Sequence, residues 1–239
     1  MDSRHVSYPL TLTRQRFVEC DPWNARAPFI LTLTGAMGSG KGYLAHELER
    51  RGMQRIVSTT TRPPRRSDIV DVDYHFVDAK SFGTALCEGQ FVECARLAAH
   101  WYGVTRTDLS KALATGKPLL VVLDPRGVKR MRVLAQDQGW RIQTLFINQS
   151  RDQLARTLVR RGGADFRPIA PPDAAIMELL KQQAGWLAEV HWDVIINAPV
   201  GENMASALGT RLIETMRRGA ERTISSTQPN RRLIHGISR

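Results

Sequence analysis

Apolar residues gather in short dense runs along this chain, separated by longer stretches of helical period. "FILTLT" (29–34), "PLLVVLD" (118–124) and "RIQTLFI" (141–147) are apolar and β-branched with little alternation. That pattern predicts strands buried on both faces of a parallel sheet. "QRIVS" (54–58) and "DVIIN" (193–197) extend the series. A helix is predicted from about Lys41 to Arg51, and helix-like segments follow the runs ending at 124 and 147. Three further runs lie close together: "YHFV" (74–77), "FVECARL" (91–97) and "HWYGV" (100–104). They predict a small antiparallel insert. The alternation as a whole predicts an α/β fold with a mainly parallel core sheet. Residues 1–28 read as an irregular extension ending in the turn-rich "DPWNARAP", and residues 219–239 as a flexible basic tail without sustained period.

Composition narrows the class. Of the 239 residues 42% are hydrophobic and 24% charged, enough for an ordinary globular core. No run approaches the ~18 apolar residues of a membrane span. The N-terminal residues lack the apolar stretch of a secretory signal. Cys20, Cys87 and Cys94 have no metal-binding spacing, so a reducing, cytoplasmic setting is expected. The net charge of +11 suits either nucleic acid or polyanionic small molecules. Part of the excess is local: residues 219–239 carry four arginines and one glutamate. A solvated tail is the favoured reading, and nucleic-acid contact is open but not favoured.

The first run leads into "LTLTGAMGSGKGYLAHEL" (31–48). Gly35, Gly38 and Gly40 let the backbone curl so that several N–H groups face one point. A helix starting near Lys41 adds the positive end of its dipole. Strand, glycine-rich turn, lysine and helix together predict a phosphate-binding loop in a P-loop NTPase fold, with ATP held by Gly35, Gly38, Ser39, Gly40, Lys41 and Gly42. Lys41 serves as a mobile charge for the outer phosphates. The pattern G-x-x-x-x-G-K-[ST] wants a hydroxyl next, as a ligand of Mg²⁺, and this chain has Gly42. Water is therefore expected to take that coordination position. No protein ligand of Mg²⁺ is assigned.

A second dense region is "STTTRPPRRSDIVDVDYHF" (58–76). Arg62 and Arg65 flank a Pro-Pro pair, and two guanidiniums on a stiff loop make a phosphate clamp. With "GQFVECA" and "WYGV" downstream, this region resembles the acceptor-binding part of guanylate kinases. The similarity runs from about Phe29 to Arg218. It implies a domain over 29–218, with an acceptor-binding insert over about 58–104 and a lid over about 160–172. The resemblance implies that Ser58, Arg62, Arg65 and Tyr74 hold the acceptor's phosphate. It also implies that Glu93 accepts hydrogen bonds from the guanine edge and that Tyr102 helps hold the nucleotide. A carboxylate suits guanine, whose N1–H and N2–H₂ are donors. Asp124, at the end of its strand, either orients an Mg²⁺-bound water or acceptor group, or caps the following helix.

The chain departs from the family at several places. Gly42 stands for the loop hydroxyl. Val104 stands for a Ser or Thr that reads guanine. Val122 replaces the first aspartate of a D-x-D pair, of which Asp124 remains. In the lid, Thr157 replaces one arginine while Arg161 keeps the second, and Leu179 stands where a further arginine is usual. The leading expectation is an ATP- and Mg²⁺-dependent kinase acting on a nucleoside monophosphate, most simply GMP or dGMP, with Lys41, Arg62 and Arg161 as catalytic groups. The alternatives are a kinase for ribose 1,5-bisphosphate, a modified nucleotide or a group in DNA, and a binding module that lost the chemistry.

Overall fold

The computed structural model describes residues 12–14, 22–23, 27–66, 68–97, 99–161, 172–197 and 200–226. In chain order the elements begin with β1 (Leu12–Arg14), β2 (Phe29–Gly35), α1 (Lys41–Arg50), β3 (Gln54–Arg55), β4 (Ser58–Thr60) and β5 (Tyr74–Phe76). Then come α2 (Ala79–Cys87), β6 (Phe91–Leu97), β7 (His100–Thr105), α3 (Arg106–Ala114), β8 (Leu119–Val122) and α4 (Pro125–Asp137). The series closes with β9 (Arg141–Asn148), α5 (Arg151–Arg161), α6 (Pro172–Glu189), β10 (Val194–Asn197) and α7 (Glu202–Ser226).

The core sheet has the order β1-β10-β9-β2-β8-β3. Every pairing in it is parallel except that of β1 with β10. The run of apolar residues in β2 is explained by cover on both faces. Phe29, Leu31 and Leu33 pack with Leu44 and Leu48 of α1 and Leu208, Leu212 and Met216 of α7. Ile30, on the opposite face, packs with Leu119 and Val121 of β8, Val128 and Met131 of α4, Phe146 and Trp192. Residues two apart share a face, so an uninterrupted apolar run serves two layers of helix. Each such leucine, fully buried, contributes about 1.5–3 kcal/mol.

A second sheet, β5-β4-β7-β6, forms the insert. It is mixed rather than antiparallel. β6 and β4 pair antiparallel with β7, but β5 lies parallel to β4, with Ser58 opposite Tyr74. The thirteen or so residues between β4 and β5 are what allow a parallel return, which a tight turn cannot make. The run "QRIVS" is not one strand. Ile56 still donates its N–H to Leu120 O of the core at 2.8 Å, and from Ser58 the chain pairs within the insert. α2 was not foreseen; Asp78 caps it by accepting from Ser81 N–H at 2.6 Å.

Two further differences concern the ends. The stretch read as an irregular extension contains β1, which covers the β10 edge of the core sheet in antiparallel register. α7 runs on to Ser226, past the boundary at 218. Residues 227–239 and the greater part of the expected lid, 162–171, lie outside the described residues. No helix among the described residues is long and apolar enough to cross a membrane.

Candidate active site

The glycine-rich turn leaves the C-terminal end of β2 and enters α1, the edge where open α/β sheets bind ligands. Gly38 and Gly40 have positive φ, 81° and 87°. A side chain at Gly40 would also collide with Val200. Gly35 approaches Ile147 and Ser39 closely: an added Cβ would lie 2.8 Å from the carbonyl oxygen of Ile147 and 2.7 Å from Ser39 Oγ. No side chain caps α1, whose N-cap is Gly40. The positive end of the helix dipole therefore has no capping side chain over it, as an anion site requires. Lys41 Nζ donates to Gly35 O at 2.7 Å, Ala36 O at 2.9 Å and Ser39 Oγ at 3.3 Å. The lysine thus lies across the mouth of the loop. Gly42 is exposed, with open space around it: an added Cβ would meet nothing within 4 Å.

In the insert, sheet register gathers the predicted phosphate clamp. Ser58 is opposite Tyr74, and Thr60 is opposite Tyr102. The rings of Tyr74 and Tyr102 meet edge to face at 5.8 Å. The Arg62 guanidinium lies 5.4 Å from the Tyr74 ring centre and 5.5 Å from that of Phe76. Burial, then the neighbouring Tyr102, raise the pKa of the Tyr74 phenol, while Arg62, Arg55 and Arg65 pull it down. Arg62, Arg65 and Tyr74 therefore act in one electrostatic neighbourhood, as expected of a phosphate site.

Asp68 is a member of this site that the sequence reading missed. Its Oδ2 lies 2.9 Å from Arg62 Nη1 and accepts from Arg65 N–H at 2.7 Å. It bends the loop so that both arginines belong to one turn. The signal was available as an opposite charge within the same short loop.

Glu93 and Asp124 form a second cluster. A bulge in β6 between Phe91 and Glu93 sets the aim of the glutamate. Its Oε1 accepts from Val104 N–H at 3.1 Å. Burial, then the charge of Asp124, push its pKa up to about 7, against the lowering effect of the Val104 hydrogen bond and of Arg130. Asp124 caps α4: its Oδ1 accepts from Gly127 N–H at 2.8 Å. The capping role left open in the sequence is thus filled. Gly127 was also missed. A Cβ there would lie 2.8 Å from Glu93 Oε2, so only glycine lets the helix start come this near the carboxylate.

Val104 is fully buried among Ile56, Leu109, Leu119 and Val128. Its side chain belongs to the core, so only its backbone serves Glu93. Arg161 ends α5, but its side chain and that of Thr157 lie outside the described residues, while Leu179 packs beside Ile176 and Leu154. Among the described residues no group of three or more His, Cys, Asp or Glu side chains is placed to hold a metal ion.

A sequence model described as guanylate kinase matches residues 27–214 of this chain. The chain belongs to the guanylate kinase family. Curated relatives agree. The guanylate kinase of Sphingopyxis alaskensis is 30% identical over 200 residues, 81% of this chain and 86% of its own. That of Thermobifida fusca is 31% identical over 188 residues, 77% of this chain and 91% of its own. The crystal structure of guanylate kinase from Anaplasma phagocytophilum superposes with a TM-score of 0.55 at 22% identity, covering 85% of this chain and 96% of that one, which supports the same fold. The guanylate kinase match spans every strand of both sheets except β1, so the loop at Lys41 and the clusters at Arg62 and Glu93 all fall inside it.

Proposed function

We propose that this guanylate kinase family member transfers the γ-phosphoryl group of ATP to the phosphate of GMP or dGMP. The observation that carries the proposal is a cluster of Arg62, Arg65 and Tyr74, on and beside one small sheet that also carries the buried carboxylate Glu93. An anion site and an acceptor-only group together match a purine monophosphate whose base edge donates.

Lys41 exchanges its loop carbonyls for the outer phosphates of ATP, and the backbone amides of Gly38, Gly40 and Gly42 cradle them, while the Ser39 N–H holds the turn by donating to Ala36 O at 3.1 Å. Ser58 and the Tyr74 hydroxyl donate to the acceptor's phosphate. Arg62 turns from Asp68 to the same group and neutralises charge on the attacking oxygens. Glu93 accepts from guanine N1–H and N2–H₂ while held by Val104 N–H. Tyr102 closes the nucleotide site against Tyr74. Arg161 supplies lid charge. Mg²⁺, held mainly through water and the nucleotide, would supply positive charge to the transferring phosphates. The open space at Gly42 would leave room for a metal-bound water, and Asp124, buried at the end of its strand, would be a candidate to orient one.

The test is transfer from γ-labelled ATP to each nucleoside monophosphate, to ribose 1,5-bisphosphate and to DNA. Label is expected in GDP and dGDP. Lys41→Ala should lose a factor of roughly 10²–10³ in turnover while the protein stays folded, because the lysine contributes charge and not apolar packing. Label confined to a purine-free acceptor, or undiminished turnover by folded Lys41→Ala, overturns the reading.

A further inference from the structure

Outside the site just described, a charged cluster around the buried Arg55 links the core sheet to the insert. Arg55 stands on β3, at the edge of the core sheet, and is only 6% exposed. Its Nη2 lies 2.8 Å from Glu49 Oε2 on α1. Its Nη1 lies 3.1 Å from Asp73 Oδ1, in the loop that leads into β5 of the insert. His46 of α1 reaches the same Asp73 oxygen at 3.2 Å and Glu49 at 3.5 Å. Two core residues therefore converge on one oxygen of one insert residue.

The other side of Asp73 faces its own loop. Oδ2 accepts from Ile69 N–H at 2.9 Å, and the Asp73 N–H donates to Ile69 O at 2.9 Å. Arg55 Nη1 also points to Val72 O at 3.5 Å. This double fastening fixes the residue that directly precedes Tyr74, and Tyr74 carries both the Tyr102 contact and the Arg62 guanidinium. Burying a guanidinium is costly unless it is paired with good geometry. An exposed ion pair would be as cheap and as weak as most surface pairs. Of the two carboxylate contacts, only that of Nη1 with Asp73 is a hydrogen bond; Nη2 meets Glu49 as an ion pair without hydrogen-bond geometry, so the link to the insert is the directional one.

We propose that Arg55 is a positioning residue for the acceptor: through Asp73 it holds Tyr74, and with it Arg62, at the distance from the phosphate loop that transfer needs. This rests on the kinase reading, though not on the identity of the base, because Tyr74 and Arg62 face a phosphate. The helix α1 carries Lys41 at its start and His46 and Glu49 farther along. One rigid element thus references the donor site and the acceptor loop to each other. Rigid references of this kind matter because small misplacements of reacting groups cost large factors in rate.

The experiment measures KM for the acceptor, KM for ATP, kcat and melting temperature in wild type, Arg55→Met, Arg55→Lys, Asp73→Asn and the double variant Arg55→Met/Asp73→Asn. The acceptor is whichever one the labelling screen identifies for the wild type, so a different base leaves this test intact. Arg55→Met should raise acceptor KM by about tenfold or more, the size of one lost charge-assisted hydrogen bond. KM for ATP should stay within about twofold, well under that one hydrogen bond. Arg55→Lys, which keeps the charge and folds if Met does not, should recover part of the acceptor KM. The double variant should resemble the single ones, since both remove the same link. Acceptor KM unchanged in folded Arg55→Lys and Asp73→Asn overturns the proposal, as does an equal rise in both KM values. A lower melting temperature with both KM values intact also overturns it and leaves Arg55 a purely structural ion pair.

Discussion

The carboxylate of Glu93 accepts the backbone N–H of Val104 at 3.1 Å, while the Val104 side chain turns into the core. One strand residue therefore holds, by its backbone alone, the carboxylate proposed to read the base. With its pKa near 7, Glu93 is only part ionised at neutral pH. Only the ionised form accepts from both guanine donors. KM for GMP should therefore fall as pH rises from about 6 to 8, across the folded pKa. Glu93→Gln should flatten that component and raise KM by about 1.5–3 kcal/mol equivalent above pH 7. Steady-state kinetics of both proteins across this range check it. A parallel pH profile in the two proteins removes Glu93 from base recognition.

The same group predicts a stability effect of opposite sense. Glu93 titrates near 4.5 unfolded and near 7 folded, so between these values the folded state binds more protons. Its contribution is fully present below about 4.5 and is lost as pH rises through about 7. Wild type should therefore lose stability relative to Glu93→Gln between pH 4.5 and 8, by on the order of 3 kcal/mol. Urea unfolding of both proteins at several pH values measures the difference. An unchanging difference would mean that Glu93 is ionised in the folded protein throughout.

The buried parallel strands were legible because β2, β8 and β9 need apolar residues on both faces, and local sequence carries that demand. The phosphate loop was legible because glycines and lysine at fixed spacing encode a backbone shape. The division of "QRIVS" was not, because Ile56 and Ser58 differ in hydrogen-bond partner, not in residue type. The parallel pairing of β5 depends on the path of a long loop. Asp68, Asp73 and Arg55 acquire meaning only from contacts across the fold, and in sequence they were three charges among many. Asp124 could be placed at the end of its strand, but its choice of Gly127 N–H needed the helix start in three dimensions.

Gly40 should tolerate no side chain. Its φ of 87° disfavours any L residue, and a Cβ would press on Val200. Gly40→Ala forces the loop open and is expected to cost about 1–3 kcal/mol of local strain. ATP binding, followed by calorimetry, should weaken by at least tenfold, while the melting temperature falls by several degrees and the protein stays folded. Wild-type ATP affinity in Gly40→Ala would mean that the nucleotide does not need this turn.

Gly42→Ser tests the missing hydroxyl. The added group meets nothing within 4 Å, so it enters without steric cost. The helix gains as well, since serine is favoured over glycine by a few tenths of a kcal/mol in a helix interior. If the metal's position here is now filled by water, the serine hydroxyl replaces that water and removes one mobile ligand from the shell. The Mg²⁺ concentration for half-maximal turnover should then fall, with KM for GMP unchanged because Gly42 lies on the donor side. A titration of Mg²⁺ at saturating nucleotides, in wild type and Gly42→Ser, reads this directly. An unchanged Mg²⁺ midpoint would show that another group of the chain already holds that position. A fall in turnover at every Mg²⁺ concentration would show instead that the open space beside Gly42 is occupied by substrate during transfer.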